Sequence, residues 1–180
     1  MVDRVAKTFE TADGSVEAIR EVSLEMREQE FVTLIGPSGC GKSTLLRIIG
    51  GLIDPTTGRV ELRGRSPHEA QRTKDIGFVF QQPALLLMDE PFGALDEITR
   101  AGMRYELLRI WGDTRKTVLF VTHSIPEAIV LSDRVVVMSP RPGEIREIIE
   151  IKLPRPRNEE IESAPEFVRI ADHLRHLLKA

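Results

Sequence analysis

Cysteine is almost missing from this chain: Cys40 is the single one in 180 residues, which excludes an internal disulfide framework and any multi-cysteine metal cluster and suits a reducing compartment. Charge of one sign never accumulates either. With 25 Lys plus Arg against 28 Asp plus Glu, a net charge of -3 and no basic run, nothing resembles a nucleic-acid-binding arm or a polybasic membrane patch, so no nucleic acid is expected as a partner. Long hydrophobic runs are absent too. The longest, such as Leu85 to Met88 and Val135 to Met138, fall far short of the ~20 residues a membrane helix needs, so any membrane role would be peripheral. What remains is 41% hydrophobic and 29% charged, without repeat or low-complexity tract. That suits one α/β core, and residues 1–180 are read as a single domain.

Phe31 to Ile35 is a short β-rich apolar run, Gly36 to Gly41 breaks it, and Lys42 to Ile49 resumes with helical spacing: strand, glycine loop, helix. Apolar runs recur at Ile76 to Phe80, Leu85 to Met88, Val118 to Val121 and Val135 to Met138. Each is continuous rather than alternating, as in strands buried on both faces, and a mostly parallel sheet follows. Asp96 to Trp111, with Ile98, Tyr105, Leu108 and Trp111 at helical spacing, and Pro126 to Leu131 are expected as helices covering that sheet. Ile145 to Ile151 reads as a late strand, and Phe167, Ile170, Ala171, Leu174, Leu177 and Leu178 mark an amphipathic terminal helix.

The strand and helix give meaning to the loop between them. Gly36-Pro37-Ser38-Gly39-Cys40-Gly41-Lys42-Ser43 satisfies the P-loop pattern in the context that pattern requires. Its glycines let backbone N–H groups turn inward around phosphate oxygens, Lys42 supplies a charge toward the β- and γ-phosphates, and the Ser43 hydroxyl suits magnesium. The expected ligand is a triphosphate with a metal ion. The apolar run from Leu85 ends in Asp89 and Glu90, which places Asp89 to hold the metal through water and Glu90 to orient an attacking water. His123 follows the strand ending at Thr122, at the carboxyl end where open α/β sheets bind ligands. His68, His173 and His176 are read as surface residues rather than metal ligands.

Taken together, the loop from Gly36, Phe78-Val79-Phe80-Gln81, Leu86 to Asp96 (Leu-Leu-Met-Asp-Glu-Pro-Phe-Gly-Ala-Leu-Asp) and Phe120-Val121-Thr122-His123 resemble the ATP-binding subunit of ABC transporters. The resemblance spans almost the whole chain, and Asp133 to Gly143 is similar to the branch serving nitrate, sulfonate and taurine importers. It implies a P-loop NTPase core of RecA type, with a mostly parallel sheet flanked by helices and a small amino-terminal antiparallel β part. It also implies ATP and Mg as cofactors, held by Gly36, Pro37, Ser38, Gly39, Cys40, Gly41, Lys42, Ser43 and Thr44, with Phe9 stacking on adenine. Ser43 and Asp89 would be the metal residues, Glu90 and His123 the catalytic ones. Asp96 would lie in a loop that communicates across a nucleotide-sandwich dimer. The implied partners are a transmembrane permease subunit and a second nucleotide-binding subunit, and the implied place is cytoplasmic, peripheral on the inner face of the cell membrane.

The chain also departs from the family. In relatives a helical subdomain carrying Leu-Ser-Gly-Gly-Gln lies between the strands that here end at Gln81 and begin at Leu85; this sequence has no such signature, and only Gln82-Pro83-Ala84 intervene. The domain is therefore read as internally shortened near residues 82–85, which leaves two functional readings: an energising ATPase and a non-catalytic ATP-binding module. A small P-loop kinase is disfavoured by Asp89-Glu90 directly before Pro91 and by Ala94-Leu95-Asp96 after it. The shortening has a geometric consequence. The four steps from Gln81 to Leu85 reach at most about 14 Å, whereas recrossing a five-residue parallel strand takes roughly 16 Å plus about 5 Å sideways. The Leu85 strand is expected to hold and the Ile76 to Phe80 segment to yield, fraying or pairing antiparallel through a hairpin at Gln82-Pro83-Ala84. In the hairpin arrangement Gln81 would be no magnesium ligand.

Overall fold

The computed structural model describes residues 1–12, 14–77 and 84–179. Its centre is β3 (Phe31–Ile35), every residue of which is buried. The run is continuously apolar because it has two faces to fill. Val32 and Leu34 join one core cluster while Phe31 and Ile35 join the other, as the period-2 geometry of a strand requires. Thr33 is the exception in composition, and its hydroxyl is satisfied by that of Ser132 at 2.5 Å. The same division runs through the neighbours β7 (Thr117–Val121) and β8 (Arg134–Met138). Val118, Phe120, Val135 and Val137 face one way, and Leu119, Val121, Val136 and Met138 the other.

Around this centre lie β1 (Val2–Thr11), β2 (Gly14–Leu24), β4 (Thr57–Val60), β5 (Ile76–Gly77), β6 (Leu85–Asp89) and β9 (Gly143–Glu150). Among the described residues they form with β3, β7 and β8 a nine-stranded sheet in the order β4-β1-β2-β9-β8-β3-β7-β6-β5. The pairs β8–β3, β3–β7, β7–β6 and β6–β5 are parallel, whereas β1 pairs antiparallel with β2 and β4, and β8 with β9. The P-loop NTPase expectation holds, the antiparallel amino-terminal part included. One face is covered by α1 (Lys42–Ile49), whose Leu45, Leu46, Ile48 and Ile49 are buried. The other is covered by α3 (Glu97–Thr114), α4 (Ile125–Leu131) and α5 (Pro165–Lys179). A short α2 (Pro67–Arg72), opened by a Ser66–Glu69 capping box, precedes β5.

Helix α3 corrects one detail of the pattern. Ile98 does not face the sheet: it is 87% exposed, and the buried stripe is Arg104, Leu107, Leu108 and Trp111, a run of i, i+3, i+4 and i+7. The stripe begins a full turn later because Asp96 caps the helix, accepting the Thr99 amide at 3.0 Å, and the first turn projects beyond the core. Under the far ends of α4 and β9, Arg157 donates to the carbonyls of Ile129, Val130, Ser132, Ile151 and Leu153. Burial, with Arg155 close by, pushes its pKa down to about 10.

At this edge of the sheet the described residues are arranged in parallel. Ile76 pairs with Leu85 and Gly77 with Leu86 in parallel, so the described part of the Ile76 run does not yield but keeps its place beside the Leu85 strand, which holds all five residues against β7. The antiparallel alternative is not adopted by these residues. Phe78 to Phe80 and the position of Gln81 lie outside the described residues.

Candidate functional site

The loop leaving β3 turns at glycines for specific reasons. Gly41 has φ +99°, and a β-carbon there would lie 2.8 Å from the Ala18 carbonyl oxygen; at Gly36 one would lie 2.8 Å from Cys40 Sγ and 3.0 Å from the Met138 carbonyl oxygen. Only glycine fits where the backbone is left-handed and pressed against β2. Gly41 is also the N-cap of α1 and carries no side-chain cap, so the helix presents its orphan N–H groups, and the positive end of its dipole, to an anion. Lys42 is buried beneath this loop, donating to the Gly36 carbonyl (2.8 Å) and the Pro37 carbonyl (3.0 Å). Among the described residues no carboxylate neutralises it. A buried, uncompensated ammonium next to free amides is the electrostatic complement of a phosphate chain.

Beside the loop, β6 brings up the carboxylates and β7 the histidine. Ser43 Oγ donates to Asp89 Oδ1 at 3.0 Å, which sets two hard oxygen donors together. Among the described residues no group of three His, Cys, Asp or Glu could hold a metal ion. The pair therefore suits a cation completed by phosphate oxygens and water, the usual coordination of magnesium. Glu90 follows with φ +45°, a conformation that costs a side-chain-bearing residue about 1–2 kcal/mol. It is held there by its amide on the Val121 carbonyl (2.9 Å) and by the Gly93 amide on its own carbonyl (3.0 Å). The strained turn aims Glu90 at His123, with Oε2 3.3 Å from Nδ1.

One cavity of about 450 Å³ collects Phe9, Gly36, Ser38, Gly39, Cys40, Gly41, Lys42, Ser43, Thr44, Glu90 and His123. Pro37 takes part through its carbonyl under Lys42, and Asp89 through Ser43. Phe9 stands on β1, partly exposed, with Lys7 Nζ 5.0 Å from its ring centroid. Val16, Ala18 and Arg141 also line the cavity and escaped the sequence reading. Nothing local marks the first two, while Arg141 stood inside a run noted only for its resemblance.

Sequence reasoning also missed Glu127. This buried carboxylate accepts the Thr122 hydroxyl at 2.5 Å, and the Ser124 amide donates to the same hydroxyl oxygen at 3.0 Å, so Glu127 shapes the turn that carries His123. Arg100 Nε approaches it to 3.9 Å, and Arg100 donates to the Leu95 carbonyl at 2.9 Å. Burial raises the Glu127 carboxyl above its ordinary value, against the Thr122 hydrogen bond and the charge of Arg100. Of the surface histidines, His68 meets Asp54 and His173 meets Glu147.

Comparison with known proteins agrees with this architecture. The ABC transporter family profile matches residues 19–90. An uncharacterized ABC transporter ATP-binding protein of Methanocaldococcus jannaschii is 36% identical, covering 99% of this chain and 90% of the relative, in an alignment of 246 positions. The aliphatic sulfonates import ATP-binding protein of Bacillus cereus is 33% identical over 92% of this chain and 91% of its own length. Among solved structures, the dimeric structure of a bacterial ABC transporter cassette superposes with a TM-score of 0.74 at 24% identity, over 86% of this chain and all of that one; this is a likeness of fold. Shared sequence of 33% to 36% identity over nearly the full length of these relatives goes further: the chain belongs to the ATP-binding ABC transporter ATPase family.

Proposed function

We propose that this chain binds ATP with magnesium in the cavity above the P-loop and is by descent the energising subunit of an importer for nitrate-, sulfonate- or taurine-like solutes. The observation that carries the reading is the convergence on one cavity of the uncompensated Lys42, the free amino end of α1, and the Glu90–His123 pair. Gly39, Gly41, Lys42, Ser43 and Thr44 hold the phosphates, Ser43 and Asp89 hold the metal side, and Phe9 offers its ring to adenine. When bound, magnesium neutralises charge on the β- and γ-phosphate oxygens. Glu90 orients water for attack, and His123, kept in place by Glu90 and by the turn that Glu127 shapes, faces the γ-phosphate. The name of the Bacillus cereus relative supports the importer reading. A permease and a second nucleotide-binding subunit are the proposed partners, with the chain peripheral on the cytoplasmic membrane face; among the described residues no helix is long and apolar enough to cross a membrane.

A specific observation favours a second reading, a non-catalytic ATP-binding module. The 246-position alignment outruns the 180-residue chain by more than sixty positions, as an internally shortened chain would, and no Leu-Ser-Gly-Gly-Gln occurs anywhere. In the family that motif, from the partner subunit, stabilises the γ-phosphate as charge develops, and such electrostatic stabilisation is a large part of catalysis. Binding should survive its loss and turnover should be very slow. Thermal melts with and without Mg-ATP test the first statement: a ligand at a hundred times its Kd stabilises by about 2.7 kcal/mol, and equal nucleotide-induced shifts in wild type and Lys42→Ala would falsify the cradle. A turnover assay tests the second, since robust hydrolysis that Glu90→Gln abolishes restores the ordinary ATPase reading.

A further inference from the structure

The run Asp133 to Gly143 ends in a turn between β8 and β9 that is fastened to the P-loop. Within the turn, the Ser139 amide donates to the Glu144 carbonyl (2.9 Å) and the Glu144 amide donates to the Ser139 hydroxyl oxygen (3.0 Å). Against the loop, Gly143 passes so close that a β-carbon there would lie 2.1 Å from the Cys40 carbonyl oxygen, and Gly36 is packed in the same way on Met138. Turn and cradle thus hold each other in a fixed relation. Arg141 sits at the head of the turn, exposed, and lines the same cavity wall as Phe9, Ser38, Gly39 and Lys42. The neighbouring Arg20 is committed to Glu144, as Arg134 at the far end of β8 is to Glu30. Arg141 has no carboxylate partner among the described residues.

We propose that Arg141 is a second cationic ligand for the phosphate chain of the bound nucleoside triphosphate, acting beside Lys42. The inference rests on the reading of this cavity as the nucleotide site. The two cations complement one another. Lys42 is buried under the loop and tied to its carbonyls, so it acts as a fixed point charge. Arg141 is exposed on a pinned turn and offers a planar fork that matches a phosphate bidentately. An exposed guanidinium without a counter-ion loses little on meeting an anion, since no existing ion pair has to break.

The test measures binding of ATP, tripolyphosphate and adenosine to the full chain with magnesium, by displacement of a fluorescent ATP analogue, in wild type, Arg141→Ala, Arg141→Lys and Lys42→Ala. Expected for Arg141→Ala is a loss of about tenfold for ATP and for tripolyphosphate, with adenosine unchanged and an intermediate loss for Arg141→Lys, which keeps the charge without the fork. Because Arg141 is exposed, melts without nucleotide should match wild type and exclude a folding defect. Unchanged ATP affinity in Arg141→Ala, alongside lost binding in Lys42→Ala, overturns the assignment and leaves the cradle standing. A loss for adenosine equal to that for ATP overturns it in favour of contact with the base. Unchanged ATP binding in Lys42→Ala brings down the cavity reading and this inference with it.

Discussion

The two halves of the candidate site are built differently. Residues 36–44 leave a strand at the centre of the sheet: β3 is paired on both sides for four residues and wholly buried. Asp89 and Glu90 leave β6, which is paired with β7 along five residues and, among the described residues, with β5 along two at its far end. The strand beneath the cradle is therefore supported on both sides, while Ser38 and Gly39 at the rim of the loop are exposed. The carboxylates depend on the pairing with β7 and on the Val121 carbonyl that fixes Glu90, and their neighbour His123 depends on a turn shaped by Glu127. Beside them, an apolar groove of about 460 Å³ runs between β6 and α3, lined by Leu86, Met88, Phe92 and Leu107 among others. A site whose binding half sits in the core and whose reacting half sits near an edge would lose turnover before it loses binding, because local stability falls from core to periphery.

Cavity-forming substitutions give the largest contrast. Leu34→Ala in β3 and Leu87→Ala in β6 both remove buried side chains, and such changes cost ~2–5 kcal/mol, less where the surroundings can collapse. Leu34→Ala should lie at the upper end and Leu87→Ala below it in denaturant melts. Equal losses would break the comparison.

Next in size is Gly41→Ala. With φ +99° and a β-carbon 2.8 Å from the Ala18 carbonyl oxygen, it should destabilise by about 1–3 kcal/mol and abolish the nucleotide-induced shift in Tm. On the reacting side the sign reverses. Glu90→Gly relieves a left-handed φ and should raise stability by about 1 kcal/mol while removing whatever turnover the chain has; a destabilised variant would mean that the Glu90–His123 contact outweighs the strain.

The smallest effects are in pH dependence, and they run in opposite directions. Burial raises the folded pKa of Glu127 above 4.5, so the unfolded chain binds fewer protons there and stability falls as pH rises from that value through the folded pKa. Glu127→Gln should remove this decline. Asp96 is held below its ordinary 3.8, first by the Thr99 amide and then by the Thr99 hydroxyl. Its contribution is full above 3.8 and is lost as pH falls through the lower folded pKa, and Asp96→Asn should flatten that part of the curve. Melts between pH 3 and 7 on the three proteins decide both, and matching slopes would remove the distinction between a buried and an exposed carboxylate.

The cradle was legible in the sequence because it is local. Strand, loop and helix are contiguous from Phe31 to Ile49, the glycines are demanded by the loop's own backbone, and continuous apolar runs announce strands buried on both faces. Asp89 and Glu90 were legible for the same reason, as the carboxylates that end an apolar run. What pairs with them was not. The meeting of Glu90 with His123, the buried position of Glu127 and the placing of Arg141 on the cradle wall arise where separate strands of one sheet end side by side, and strand order is a long-range property that no local pattern contains. The same limit explains Ile98, apolar and on the right spacing yet outside the core. Periodicity shows that a helix has an apolar face, but the cap at Asp96 and the extent of the sheet beneath decide which turns of that face are covered.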